Sequence, residues 1–136
     1  MKRCILLVMI ATCMLVGCVS NTIYHWEFTY SFDYVKEIKL VEMIDERAYT
    51  VIKEIDVELA EELYTDISGL EMKRYGTNLM RPYGICFLVM FQSGEYDIIS
   101  QREPKRYKPG QERLEAYNSW LECDKEEFQK LIEKYM

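Results

Sequence analysis

The side chain with the clearest chemical potential in this sequence is the thiol of Cys18. It follows Gly17 directly and stands at the end of a nearly unbroken apolar run from Ile5 to Val16. A thiol is the nucleophile that accepts a covalent modifying group, and a neighbour as small as glycine leaves room for an enzyme to reach it. The spacing therefore predicts a modification and processing site at residues 17 and 18.

The residues before Cys18 have the organisation of a secretory signal. Lys2 and Arg3 form a positively charged start, and the apolar run that follows has twelve residues. A helix needs about 20 residues to cross a ~30 Å hydrocarbon core, so this run is too short for a membrane span. It has the length of a signal-peptide core, which is about 7–15 residues.

Leu15-Val16-Gly17-Cys18 resembles the lipobox of bacterial lipoproteins. The resemblance implies that the Cys18 thiol receives a diacylglyceryl group and that a signal peptidase cuts between Gly17 and Cys18. The alternatives are an ordinary signal peptide, or an uncleaved apolar N-terminus in which Cys18 is incidental. On the lipoprotein interpretation, residues 1–17 are the signal peptide and residues 18–22 are the lipidated cysteine with a short tether. Residues 23–136 then form one domain, held by lipid at the extracytoplasmic face of the cell membrane.

The composition of the remaining chain limits its partners. Without residues 1–17 it has 119 residues, with 15 basic and 23 acidic side chains. This length suits a single domain, and the apolar content predicts a packed core and excludes a disordered chain. The negative charge disfavours nucleic acid. We expect two partners, the membrane through the N-terminal lipid and a protein or envelope component.

Two further cysteines, Cys86 and Cys123, remain after processing. Because disulfides persist outside the cytoplasm, a Cys86–Cys123 bridge is one alternative. The other is a pair of buried thiols that pack as small apolar side chains. No further cluster of cysteine and histidine exists in the sequence, so we expect no metal site and no cofactor.

Hydrophobic patterning predicts an α+β fold with the order βββ-α-ββ-ββ-α, an antiparallel sheet with two helices packed on one face. Aromatic and polar residues alternate from Tyr24 to Phe32, the period of a strand with one aromatic face. We expect that face to cover the core; an exposed ladder for headgroups or a sugar is the alternative. Two more strands are predicted from Val35 to Ile44 and from Tyr49 to Ile55.

The predicted helices have recognisable ends. Asp56 is the expected N-cap of the first helix and Gly69 its stop. Asp124 is the expected N-cap of the second, with Glu127 three residues later, close to a capping-box pattern. Apolar residues three and four positions apart mark the buried stripes, namely Val57, Ala60, Leu63, Tyr64, Ile67 and Leu70 in the first helix and Phe128, Leu131, Ile132 and Tyr135 in the second.

Two hairpins are predicted between the helices, after a polar connection from Glu71 to Pro82. Tyr83 to Phe91 is apolar on both faces, as in a central strand, and Ser93-Gly94 is a turn that leads into a partner from Glu95 to Ser100. The second hairpin turns at Lys108-Pro109-Gly110-Gln111, which suits a type II turn.

The second hairpin is also the one local reversal of charge. Its basic residues are interpreted either as solvated charges that protect a sheet edge or as a contact patch for an anionic partner or the membrane surface. The residues of this basic patch are Arg102, Lys105, Arg106 and Lys108.

The sequence contains no recognisable catalytic constellation. Its single histidine, His25, falls on the polar face of the first predicted strand, and paired carboxylates are adjacent in sequence, so they point apart. We therefore expect a binding module of unknown ligand and no enzyme. The alternative is an immunity- or inhibitor-type protein that neutralises a toxin or hydrolase at the cell envelope.

Three segments of the mature chain resemble small uncharacterised lipoproteins of Gram-positive bacteria. They are Tyr83-Gly84-Ile85-Cys86, Gly94-Glu95-Tyr96-Asp97-Ile98-Ile99-Ser100 and Cys123-Asp124-Lys125-Glu126-Glu127-Phe128. That group has no established activity, so the resemblance implies no functional residue.

Overall fold

A computed structural model describes residues 22–45, 48–74, 84–102, 104–110, 115–116 and 121–136. These residues form nine strands, two α-helices and a 3-10 turn at Phe32–Tyr34. The strands are β1 (Tyr24–His25), β2 (Val35–Met43), β3 (Tyr49–Glu54), β4 (Glu71–Arg74), β5 (Gly84–Phe91), β6 (Tyr96–Ile99), β7 (Lys105–Tyr107), β8 (Glu115–Ala116) and β9 (Leu121–Cys123). The helices are α1 (Val57–Gly69) and α2 (Lys125–Tyr135).

The predicted α+β class and antiparallel pairing are confirmed, but the strands form two sheets and not one. Six strands follow the order β3-β2-β5-β6-β7-β8, and three form a separate sheet in the order β1-β4-β9. In the small sheet, Met72 lies opposite both Tyr24 and Cys123. Glu71–Arg74, predicted as part of a polar connection, is therefore the central strand of this sheet, and 75–82 lies outside the described residues. The small strands are too short for their periodicity to be recognised in the sequence.

Both helices pack on the same face of the large sheet, as predicted. Ala60, Leu63 and Ile67 of α1 are buried there, and α2 buries all four residues of its predicted stripe. They share one core with side chains from the large sheet and with Met72, Leu121 and Cys123 from the small sheet. This arrangement excludes water from both sheets on the helix side, and apolar burial is the main term that stabilises such a domain.

The central strand β5 is buried on both faces, as its apolar sequence predicts. Phe87, Val89 and Phe91 point into the helix-side core. Cys86 and Leu88 point the other way and belong to a second buried cluster with residues of β2 and β6. Opposite faces of the same strand therefore serve two separate apolar clusters.

The aromatic segment covers the core, but the prediction that it is one long strand is wrong. Only Tyr24–His25 pairs with another strand, and the chain then runs irregularly to the 3-10 turn. Phe28 stacks on the Tyr64 ring of α1 at 4.1 Å, and the Tyr64 hydroxyl donates a hydrogen bond of 2.6 Å to the carbonyl of Tyr30. Ring packing against α1 thus replaces the ladder that the alternation predicted.

The helix ends agree with the sequence at α2 more closely than at α1. The Asp124 carboxylate accepts bonds from the backbone N–H groups of Glu126 and Glu127, as predicted for an N-cap. Asp56 occupies the cap position of α1 without a side-chain capping bond. Val57, placed in the buried stripe, is 86% exposed, because it lies in the first turn, before the helix meets the core. The helix also includes Gly69.

Glycine sets the backbone at both predicted turns. Gly94 has a φ of +88° between β5 and β6, and Gly110 has a φ of +86° after Pro109. Both values lie in the left-handed region that favours glycine, as the two turn predictions require. Gln111, the fourth residue of the second predicted turn, lies outside the described residues.

Candidate functional site

The basic patch lies around β7, which pairs with β6 on one side and β8 on the other. Lys105 and Arg106 are in the strand, and Arg102 and Lys108 precede and follow it. Because β7 is an internal strand, its cations do not protect a sheet edge. Their surroundings decide whether they form a contact surface.

Arg106 is committed to a partner inside the protein. Asp97 lies directly opposite it on β6, and the pair points to the helix side of the sheet. The Arg106 Nε donates to Asp97 Oδ1 at 2.9 Å, and Nη2 donates to Oδ2 at 3.3 Å. Nη2 also donates to the carbonyl of Glu27 at 2.8 Å. This is a bidentate arginine–carboxylate pair, the strongest geometry available to these groups.

The Asp97 carboxylate is completely buried. Besides Arg106, the indole Nε1 of Trp26 donates to Asp97 Oδ2 at 3.2 Å, and the guanidinium lies 5.3 Å from the centre of the Trp26 ring. Burial raises the pKa of Asp97, and the opposing effects of Arg106 and Trp26 reduce this shift. The Asp97 carboxylate, the Arg106 guanidinium and the Trp26 indole are thus partners of one another. We name this cluster the Asp97 clamp (Trp26, Asp97 and Arg106).

The Asp97 clamp has a structural role. It ties the irregular segment after β1 to β6 and β7, across 71 residues of sequence between Trp26 and Asp97. A carboxylate with no solvent access that is occupied by three donated hydrogen bonds is poorly placed to take a proton from a ligand. This cluster was not predicted from the sequence, because the pairing of Asp97 with Arg106 depends on the register of β6 and β7.

Arg102 is the second cation of the basic patch with an internal partner. Its Nε lies 2.8 Å from Glu122 Oε2, and the two residues form an isolated bridge between the sheets. Lys105 and Lys108 are partly buried. Both arginines of the basic patch therefore have partners inside the protein.

The disulfide alternative is not realised, because Cys86 and Cys123 are both free and buried. Cys123 lies in the helix-side core and Cys86 in the cluster on the other side of the large sheet. Burial raises the pKa of each thiol to about 12. They therefore pack as small apolar side chains, which was the other alternative.

The predicted processing site at Gly17 and Cys18 lies outside the described residues, so lipidation of Cys18 stays a prediction. His25 is exposed on β1 opposite Glu71. In the part of the chain that the structure describes, no group of three or more histidine, cysteine or acidic side chains is arranged to hold a metal ion. Neither described helix has the length and apolar character to span a membrane.

The grooves on the helix side are open and lined with charge. One of them, of about 520 Å³, runs between the end of α1 and the start of β4 on one side and α2 on the other. At its rim Lys134 lies 2.7 Å from both Asp66 and Glu62, and the Tyr135 hydroxyl donates to Asp66 at 2.6 Å. Partial burial opposes ionisation of Asp66, but these donors hold its pKa below the usual value. The ion pairs and the hydrogen bond at the rim of the groove thus link α2 to α1.

One segment of the chain, residues 42–62, combines exposed apolar side chains with a high density of acidic residues. Between Glu42 and Glu62 the sequence has eight acidic and two basic residues, and every acidic residue described in this stretch is exposed. Of the eight large apolar residues that are exposed in the described structure, five lie in the same stretch: Ile44, Val51, Ile52, Val57 and Leu59. We name this segment the acidic strip; it comprises the β2–β3 turn, β3 and the first half of α1.

The backbone of β3 is also available along the acidic strip. Among the described strands β3 pairs only with β2, so its other side is a sheet edge. The Ile55 amide donates to the Ile38 carbonyl of β2, and the Ala48 carbonyl accepts from the amides of Ile44 and Asp45, just after β2. Because bonding alternates along an antiparallel pair, and Ile52 is the extra residue of a bulge, the amide groups of Tyr49, Val51 and Glu54 point outward.

The fold and these side chains define a small acidic α+β domain with a buried ion pair and an exposed acidic strip. Comparisons with protein-family models, with curated proteins and with solved structures found no match to this chain.

Proposed function

We propose that the chain is a bacterial envelope lipoprotein, anchored through acylated Cys18 after cleavage at Gly17, whose domain is a binding module at the extracytoplasmic face of the membrane. The concentration of exposed apolar residues within an acidic surface supports the binding role. Clustered apolar exposure is uncommon on a protein with no partner, and it marks interaction sites. The ligand of the module is a basic protein or envelope component, because the acidic strip attracts positive charge.

The acidic strip offers three kinds of contact to such a partner. Val57 and Leu59 present apolar area in the first turn of α1, and exposed carboxylates surround them. The outward amides of β3 can pair with an extended segment of the partner, as in strand addition to a sheet edge. Apolar area and backbone bonds supply affinity, while the carboxylates speed encounter and select for charge.

The alternative function is that of an immunity- or inhibitor-type protein. The same acidic strip favours it, because a basic toxin or hydrolase would meet complementary charge there. The two proposals differ in what happens to the partner: an inhibited hydrolase or toxin loses its activity when it binds, whereas a ligand of a tethering module keeps its own.

The anchor is tested by membrane fractionation and intact mass of the N-terminal peptide, for the wild type and for Cys18→Ser. We expect acylated Cys18 at the N-terminus of a membrane-bound wild type, and an uncleaved precursor for the variant. Identical behaviour of the two proteins, with no added acyl mass, would falsify the lipoprotein proposal.

The binding surface is tested by cross-linking in native membranes, with the cross-linked positions mapped by mass spectrometry. Val57→Ser should reduce cross-links on the acidic strip without unfolding the domain, because Val57 contributes little to the core. Tyr34→Ser is the matched control, an exposed apolar residue outside the strip. Equal cross-linking of the two variants, or cross-links that avoid the strip, would contradict the proposal. Loss of a captured hydrolase's activity would favour the inhibitor.

A further inference from the structure

The point at which the chain enters the domain lies beside two cations. In the small sheet Tyr24 is opposite Met72 and His25 is opposite Glu71. Continuing this antiparallel register places residue 23 opposite Lys73 and residue 22 opposite Arg74, one strand spacing of about 4.8 Å away. The basic end of β4 therefore adjoins the N-terminal entry, and Glu71, opposite His25, begins the strand at its other end.

The basic end of β4 and the chain entry together present both cationic and apolar side chains, as a membrane–water interface requires. Lys73 and Arg74 are both exposed. The Arg74 guanidinium lies 5.5 Å from the centre of the Tyr24 ring, and Ile23 is 45% exposed. Lys73 shares a groove with the acidic residues Glu71, Glu122, Asp124 and Glu127, and Glu122 is paired with Arg102. We name Ile23, Tyr24, Lys73 and Arg74 the entry corner.

The length of chain before the entry corner limits how far it can lie from an anchor. Four residues, 19–22, follow Cys18. At full extension they span about 14 Å. The headgroup layer of one leaflet is itself about 5–8 Å thick. Residue 22 therefore stays within roughly one Debye length, ~8 Å, of the headgroups, where charges on the corner and on the lipids interact.

We propose that the entry corner docks on anionic lipid headgroups, with Lys73 and Arg74 as the contacting cations and Ile23 against the interface. This inference rests on the proposed lipid anchor, which holds the domain close to the membrane. The entry corner determines which side of the domain faces the lipids. Each cation that meets an anionic surface favours docking by about fivefold, so two favour it by about 25-fold. The same lipids repel the carboxylates of the acidic strip, so an anionic surface disfavours docking through the strip.

The test uses the mature acylated chain bound to vesicles, with an environment-sensitive fluorophore at Ile23→Cys and, in a second sample, at Glu126→Cys in the first turn of α2. The native thiols, Cys86 and Cys123, are buried and do not compete for the label. Vesicles contain phosphatidylcholine alone or with phosphatidylglycerol, plus a headgroup-linked nitroxide quencher. Sedimentation with the vesicles reports the anchor, and quenching reports the orientation.

We expect stronger quenching at position 23 than at 126 in the anionic vesicles, and a smaller difference in neutral vesicles or high salt. Lys73→Glu with Arg74→Glu should remove the dependence on lipid charge. Lys125→Glu with Lys130→Glu on α2 is the matched control and should preserve it.

If the chain still sediments with the vesicles but quenching does not depend on lipid charge, docking through the entry corner is refuted and the lipid anchor is not. The same conclusion follows if both double variants behave alike. A chain that carries no acyl group and does not sediment overturns the anchor, and with it the docking inference that depends on the tether.

Discussion

The Asp97 clamp leads to a testable prediction about the free energy of unfolding. Replacement of Arg106 by methionine keeps most of the aliphatic packing beside Trp26 but removes the guanidinium from a carboxylate that has no solvent exposure. Breaking one side of a buried ion pair costs about 3–5 kcal/mol. Loss of the bond to the Glu27 carbonyl adds about 1 kcal/mol. We expect Arg106→Met to lower the free energy of unfolding at pH 7.5 by about 4–6 kcal/mol, a large part of the 5–15 kcal/mol typical of a domain.

The predicted loss of unfolding free energy depends on pH, and the direction of this dependence follows from the pKa of Asp97. Burial already raises the pKa of Asp97 in the wild type, and removal of Arg106 leaves that effect less opposed. An acid whose folded pKa lies above its unfolded pKa gains folded stability as the pH falls. The destabilisation by Arg106→Met should therefore be smaller at pH 5 than at pH 7.5. Adding Asp97→Asn should also recover part of it, because the amide is neutral and its oxygen still accepts from Trp26.

The assay is equilibrium unfolding in urea, followed by tryptophan fluorescence at both pH values. Arg102→Met is the control, because it removes an arginine at nearly the same distance from its carboxylate, 2.8 Å, in a pair whose side chains are 43% and 30% exposed. A pair with this much solvent access costs less to break than a fully buried one. If Arg106→Met costs no more than Arg102→Met and shows no pH dependence, the reasoning about the buried pair is refuted.

Three further predictions concern other parts of the fold. Asp124→Ala should cost about 1 kcal/mol in urea unfolding because it removes two capping bonds, whereas Asp56→Ala, which removes none, should cost a few tenths. Asp66 has a lowered folded pKa, so its contribution, present above its unfolded pKa, should disappear as the pH falls through the folded value; Asp66→Asn should flatten this acid-side decline in unfolding free energy. Cys86 and Cys123 should resist a thiol reagent at pH 8 until urea unfolds the domain, because both are buried with pKa values of about 12.

Each of these predictions has a contrary outcome. Equal losses for the two cap variants would mean that the capping bonds of α2 contribute no net stability. An unchanged acid-side slope in Asp66→Asn would assign the decline to other carboxylates. Rapid modification of either cysteine in the folded protein would show that its pocket opens frequently, against the closed cores described here.

Local signals in the sequence predicted the parts of the fold that local interactions determine. The cap and stripe of α2 were correct because Asp124, Glu127 and the apolar residues lie within a few positions of one another. The turn at Gly94 was correct for the same reason, since a positive φ is a property of one residue. The central strand β5 was recognisable because its eight residues are apolar on both faces.

Long-range pairing explains what the sequence did not predict. Alternation from Tyr24 to Phe32 is compatible with a strand, but the rings instead find partners on α1, 34 residues beyond Tyr30 in the hydrogen bond from Tyr64. The small sheet joins strands of two to four residues, too short to show a period. Of the candidate site, charge alone suggested the basic patch, and only the register of β6 and β7 reveals that Arg106 serves Asp97.

The small sheet also sets the order in which the domain can be completed. Its strands come from residues 24–25, 71–74 and 121–123, so 48 residues separate Tyr24 from Met72 and 51 separate Met72 from Cys123. Contacts between such distant segments form slowly, because a long loop must close before they add stability. Because synthesis delivers the N-terminus first, β4 can pair with β1 early but must wait for β9 until nearly the whole chain has emerged. The end of the domain nearest the proposed anchor is therefore the last to close, and a chain truncated before residue 121 would leave Met72 without the strand that covers one side of it.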